Sequence, residues 1–196
     1  MTISLAVIHA SPAAIAPVRE FFVAEAPEFQ LTNLLDDGLL RMFAASDYLA
    51  AEQQLLALIA LAVSTYKAEA VLITCSAVPR DSMQRIREAA AIPVIKIDEP
   101  MAEAAKAAGR RIGILYTFAP TLKPTTALLQ SPDHELFPQL VDSDIVQAAQ
   151  DLAPGVDVIV LAQVSMAHHA EAIYKATGKP TLNSLAPVLE VLRQTK

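Results

Sequence analysis

Cys75 is the only cysteine in the chain, and its setting invites chemistry. It stands in VLITCSAVPRD, where an apolar run that reads as a buried strand gives way to a helix. That position aims the thiol at a helix N-terminus, where the dipole favours thiolate. Thr74 and Ser76 flank it with hydroxyls. The plain alternative is a buried structural cysteine, the commonest fate of a free one. Gln163 occupies a matching strand tip in VLAQVSMAHH. Gln163, Ser165 and the following backbone amides could hold a carboxylate or carbonyl oxygen, against simple helix capping by Ser165. Ser11, Thr117 and Thr121 lie in two further strand–helix loops, and each is also a credible N-cap.

Other polar residues carry weaker signals. His168 and His169 are adjacent on an expected helix, so they point about 100° apart and cannot share one metal. A solvated histidine is the ordinary reading of each. His134 and Asp133 show no ligand spacing, and Asp36-Asp37-Gly38 makes a good turn. His9 reads as a core residue at a strand end. The chain has no GxGxxG, no P-loop and no HExxH. Nothing supports a nucleotide cofactor or a metal, so the expectation is none of either.

The elements that would position these residues alternate between short β-rich runs and longer helical ones. Strands are expected at Ile3–Ile8, Gln30–Leu34, Ala70–Thr74, Pro93–Ile97, Arg111–Tyr116, Asp157–Leu161 and Pro180–Leu182. Helices are expected from Ser11-Pro12 to about Ala26, then at Glu52–Tyr66, Pro79–Ala90, Pro100–Ala108, from Thr121, at Ser143–Leu152, Met166–Thr177 and about Leu185–Gln194. Ser131–Pro138 reads as irregular loop. Serine as N-cap with proline at the first position is a good helix start. Continuous apolar runs such as AVLIT suit parallel strands buried on both faces.

An internal repeat underlies this order. ISLAVIHASP resembles IGILYTFAPT, and AEAVLITCSAVP resembles GVDVIVLAQVSMA. His9 precedes Cys75 by 66 residues, whereas Thr117 precedes Gln163 by 46. The second half is therefore expected to lack about one strand–helix unit.

Composition bounds the remaining classes. The chain has 196 residues, 54% hydrophobic, with 15 Lys and Arg against 21 Asp and Glu, a net charge of −6. That length buries a real core without disulfides or metals. The acidic balance lacks the electrostatic footprint of a nucleic-acid binder. The longest uncharged apolar run, Gln53–Tyr66, falls short of the roughly 18 residues needed to span a bilayer. The N-terminal apolar stretch has no Lys or Arg before it, unlike a signal peptide. The expectation is a cytoplasmic protein, with no membrane or nucleic-acid partner, whose Leu39–Tyr66 region could supply a homo-oligomer surface.

Taken together, LITCSAVP, VIVLAQVSMA, IPVIKIDEPMAEAA and IGILYTFAPT, with VIHASPA and LLDDGLL, resemble the aspartate/glutamate/hydantoin racemase superfamily. The resemblance covers nearly the whole chain except about Gln130–Asp142. It implies an α/β fold of two lobes related by a pseudo-twofold axis. Each lobe would be a mainly parallel sheet flanked by helices, with the active site in the cleft between them. The lobe limits expected are 1–98 plus 181–196, and 99–180. It also implies a cofactor-independent reaction in which two cysteines exchange a proton at the carbon next to a carboxylate of a small amino or carboxylic acid.

Cys75 matches the first cysteine; the second position falls on Gln163, which has no titratable proton. Ser11, Thr74, Ser76, Thr117, Thr121 and Ser165 match loop positions that hold substrate carboxyl groups. Three readings follow. Cys75 acts alone, in an isomerase or a one-cysteine lyase or decarboxylase step. A second group such as His168 joins it. Or the protein binds a small carboxylate without turnover. A Cys75–His168 hydrolase pair is a further class, one that lacks an orienting third group.

Overall fold

The computed structural model describes residues 2–195. By contact they form two compact units, residues 2–97 with 192–195, and residues 98–191. Each unit holds its own four-stranded sheet, and every pairing recorded is parallel.

In the first unit, Ile3–His9 (β1) leads through a 3-10 turn at Pro12–Ala14 into Ile15–Glu25 (α1). Ser11 Oγ accepts from Ala13 N at 3.3 Å, so the expected cap forms, although the first turn is 3-10 rather than α. Phe29–Leu35 (β2) follows, then Gly38–Ala44 (α2) and Tyr48–Ser64 (α3). Ala70–Ile73 (β3), Arg80–Ala89 (α4) and Val94–Lys96 (β4) complete the set, in sheet order β2-β1-β3-β4. β3 is buried along its whole length, as an apolar central strand must be. Glu52 on α3 is buried and accepts from Ser82 Oγ at 2.6 Å and Arg85 Nε at 2.9 Å, which fastens α3 to α4. Arg193 near the C-terminus donates to Glu28 Oε1 and to the Glu25 carbonyl.

The second unit runs Glu99–Ala108 (α5), Arg111–Tyr116 (β5), Leu122–Leu129 (α6), Glu135–Leu140 (β6), Ile145–Leu152 (α7), Val158–Leu161 (β7), Ala170–Thr177 (α8), Thr181–Leu182 (β8) and the greater part of Leu185–Gln194 (α9), whose residues from 192 count with the first unit. Its order is β6-β5-β7-β8. Asp157 Oδ2 accepts from the backbone N–H of Arg111 and Arg110 at the entry to β5. Those bonds, the Arg111 one foremost, hold its carboxyl below the usual carboxylate range. α8 ends at Gly178, whose φ of 67° is the left-handed cap that glycine adopts without a Cβ clash.

Four expectations change. Ser131–Pro138 is not all loop, since β6 occupies Glu135–Leu140 on the sheet edge. Pro138 fits there because Glu135 and Val141 donate toward β5, to Arg110 O and Tyr116 O. Alternation along the strand then turns the Pro138 nitrogen away from the ladder. The second unit lacks no strand: its shorter span comes from α7 alone standing where α2 and α3 stand in the first. Thr181–Leu182, expected with the first lobe, pairs with β7 in the second sheet. The helix expected at Met166–Thr177 opens instead as a 3-10 segment, Val164–His169. No helix among the described residues is long and apolar enough to cross a membrane.

Gly113 on β5 lets α7 come close: a Cβ there would lie 2.6 Å from Leu152 Cδ2 and 3.3 Å from Val156 Cγ1. Gly113→Ala should therefore cost about 1–3 kcal/mol by overpacking, read as a lower urea midpoint. At Gly155 the nearest atom to an added Cβ is Arg111 Nη2 at 4.0 Å. Gly155→Ala should stay within about 0.5 kcal/mol of wild type. Equal midpoints for the two variants would mean that Leu152 yields freely and the close approach is not a constraint.

Candidate functional site

The repeat has a geometric counterpart. In the first sheet Ile8 pairs with Ile73, and Thr74 N donates to Ile8 O at 3.0 Å. In the second, Leu115 pairs with Leu161, and Ala162 N donates to Leu115 O at 2.9 Å. The two sheets thus superimpose in register, Thr74 answering to Ala162 and Cys75 to Gln163. Each of those last two residues is the second beyond its central strand, at the C-terminal end of the sheet where open α/β folds bind ligands.

Around Cys75 the environment is tight. The residue is 7% exposed and belongs to an apolar cluster with Ala10, Leu39, Phe43, Ala77 and Val78. α4 begins only at Arg80, behind Pro79, so Cys75 lies five residues ahead of the first helical position rather than at it. A dipole confined to the first turn is then a poor reason for thiolate. Ser76 is buried beside it, and its carbonyl accepts from Lys96 Nζ at 3.3 Å. Lys96, the last residue of β4 and 1% exposed, escapes a reading by motif. The one signal is a lysine set between Ile95 and Ile97 in an otherwise apolar run.

Thr74 and His9 form a buried polar pair beneath the strand tip. Thr74 Oγ1 lies 3.2 Å from Ile8 O and 3.1 Å from His9 Nδ1, while His9 Nε2 lies 2.9 Å from Asn33 Oδ1. His9 is fully buried, and desolvation lowers its pKa below 6.5 despite the opposing bond from Asn33. Nearby, Asp36 accepts from Gly38 N at 2.9 Å and from Gln54 Nε2 at 2.7 Å. The expected Asp36-Asp37-Gly38 turn therefore starts α2 and is tied to α3.

Around Gln163 the side chain itself is the tie. Its Oε1 accepts from Thr117 N at 3.1 Å and from Thr117 Oγ1 at 3.4 Å. Its Nε2 donates to Thr121 Oγ1, and that hydroxyl donates in turn to Phe118 O at 2.7 Å. Three of the expected site residues, Thr117, Thr121 and Gln163, are thus brought together, with no hydroxyl proton of Thr121 left to offer a ligand. Ser165 is half-buried in the 3-10 segment that follows. His168 is exposed and lies against His169 with the rings tilted 41° and their centroids 3.8 Å apart. Burial, and then the neighbouring His168, lower the pKa of His169. No group of three or more metal-ligating side chains occurs among the described residues.

Comparison with models of known protein families gives no match, and comparison with curated protein sequences gives none either. Solved structures do match. A glutamate racemase from Francisella tularensis subsp. tularensis SCHU S4 superimposes with a TM-score of 0.73 at 16% identity, over 98% of this chain and 80% of that one. An allantoin racemase from Klebsiella pneumoniae gives 0.73 at 18%, over 98% and 87%. Picrophilus torridus aspartate racemase gives 0.65 at 14%, over 98% and 94%. The fold is thus that of the aspartate, glutamate and allantoin racemases, as the sequence motifs implied.

Two measurements check this geometry. Gln163→Leu removes the acceptor of Thr117 N and should cost about 1–2 kcal/mol, with faster amide exchange at Thr117. Unchanged exchange there would show that water serves as well as Gln163. For His9, the unfolded chain takes up a proton below about pH 6.5 while the folded ring, its pKa lowered, does not. Stability should therefore fall on acidification through that window, down to the folded pKa. His9→Gln should lose less over the same range in urea titrations, and equal pH slopes would remove His9 as the cause.

Proposed function

We propose that this chain is a cofactor-independent enzyme of the Asp/Glu racemase type, acting on a small amino or carboxylic acid with Cys75 as its single acid–base group. The observation that carries the reading is the unequal filling of two equivalent strand tips, a thiol at one and an amide at the other. The shared fold with racemases supports the chemical class.

In this reading the Cys75 thiolate takes the proton from the carbon beside the substrate carboxylate, and the electron pair moves into that carboxylate. The thiol so formed returns a proton to the same face. The equivalent position in the second unit, Gln163, carries no titratable proton, and its amide is engaged with Thr117 and Thr121. A decarboxylation fits the same parts: loss of carbon dioxide leaves the carbanion, and the Cys75 thiol protonates it. Among the expected carboxylate holders, Thr121 spends its hydroxyl proton inward and Thr74 has inward acceptors for its own. Within the unit that holds Cys75, Ser11 and Ser76 are then the stronger donors to a substrate.

Stereochemistry in deuterium oxide tests this. Each enantiomer of aspartate, glutamate, allantoin and simple hydantoins, and α-substituted malonates, would be incubated with the protein and followed by proton NMR. One enantiomer of the true substrate should exchange its α-proton with retention of configuration, and Cys75→Ala should abolish the exchange. Symmetric interconversion of enantiomers would refute the single-base mechanism. Absence of exchange, with a carboxylate ligand stabilising wild type and Cys75→Ala alike, would instead establish a non-catalytic carboxylate-binding protein.

A further inference from the structure

We propose that His9 is a positioning residue for the Cys75 strand tip, held as a neutral Nε2–H imidazole that grips Thr74 through Nδ1 and is itself gripped by Asn33.

Counting protons leads there. Asn33 Oδ1 accepts only, so the His9 nitrogen facing it at 2.9 Å must carry a hydrogen. A neutral ring has one, which leaves Nδ1 as an acceptor. Its neighbour at 3.1 Å is the Thr74 hydroxyl, which therefore donates to the ring. The other acceptor within reach of that hydroxyl, Ile8 O, already receives Thr74 N–H and is not left bare. Both ring nitrogens and the Thr74 hydroxyl are then paired with the ring uncharged, the state that full burial of His9 favours. Were the ring to gain a proton, Nδ1–H would donate to Thr74 Oγ1, and the hydroxyl would turn to Ile8 O.

The second unit argues that the network belongs to the thiol. In the matched registers His9 answers to Tyr116, Thr74 to Ala162 and Asn33 to Pro138. None of the three polar members is repeated. There the tip residue, Gln163, braces its own loop. In the first unit the brace sits one residue earlier, on Thr74. A thiol is a weak hydrogen-bonding group and a poor brace, so the histidine network supplies what a glutamine supplies elsewhere.

This inference rests on Cys75 being the reacting group, but its test does not need turnover. Imidazole 15N shifts should show His9 in the Nε2–H tautomer at neutral pH. Thr74→Val keeps the shape and removes the Nδ1 donor. It should raise the rate of Cys75 alkylation by iodoacetamide about fivefold, the ratio set by one lost hydrogen bond, and should shift the ring toward a mixture of tautomers. His9→Asn, whose carbonyl can still accept from Thr74, should stay near the wild-type alkylation rate, whereas His9→Leu should follow Thr74→Val. If His9→Leu does not fold, the 15N spectrum and Thr74→Val decide. A charged or Nδ1–H ring at neutral pH, or an unchanged alkylation rate and pH profile in Thr74→Val, would overturn the proposal. Failure of the exchange experiment alone would leave it standing, and would remove only the catalytic use of the thiol.

Discussion

One parallel strand pair governs each sheet, β1 with β3 and β5 with β7. Their inner residues are buried on both faces, so no water can serve their backbone groups and the ladder must do so. That obligation ends at a definite place. Thr74 N and Ala162 N make the last bonds to the neighbouring strand. The residues that come next in each unit are Cys75 and Gln163. The site positions thus follow from where hydrogen bonding between central strands stops.

From that common frame the two units diverge in how they hold the chain after it leaves the sheet. In the second, an amide at the tip reaches back to Thr117 and forward to Thr121. In the first, the grip lies beneath the tip, in His9, Thr74 and Asn33, with Lys96 on the Ser76 carbonyl beyond it. A side chain that braces a loop in this way, as Gln163 does, is committed to that loop. Cys75 itself is packed among apolar neighbours.

Much of this was legible in the residues, for reasons particular to each element. AVLIT and DVIVL are uninterrupted apolar runs, the mark of strands buried on both faces, and β3 and β7 lie within them. The equivalence of Cys75 and Gln163 could be read because each closely follows such a run; the observed strands, ending at Ile73 and Leu161, make the offset two residues in both. β6 was not legible: as an edge strand its side chains alternate in exposure and it contains a proline, so ELFPQL resembles loop. α2 was hidden by Asp36-Asp37-Gly38, a turn signal that here opens a helix. The His9 network joins residues 24 and 65 positions apart, and no local pattern announces it. The two tied threonines, Thr117 and Thr121, were found as loop hydroxyls, but their commitment to Gln163 needed coordinates.

Pro138 bears on how this protein meets other chains. β6 is the outer strand of its sheet, and an outer strand offers a row of unpaired N–H and C=O groups to any extended peptide. The proline nitrogen faces outward, where it can donate to nothing, and its ring stands where an added strand would need to approach. By the same alternation the Leu136 and Leu140 N–H groups face that flank, but an added strand would lose the central bond between them. The outer strand of the first sheet, β2, has no proline in Phe29–Leu35. This obstacle to strand addition therefore stands at β6 and is missing at its counterpart in the first sheet, β2.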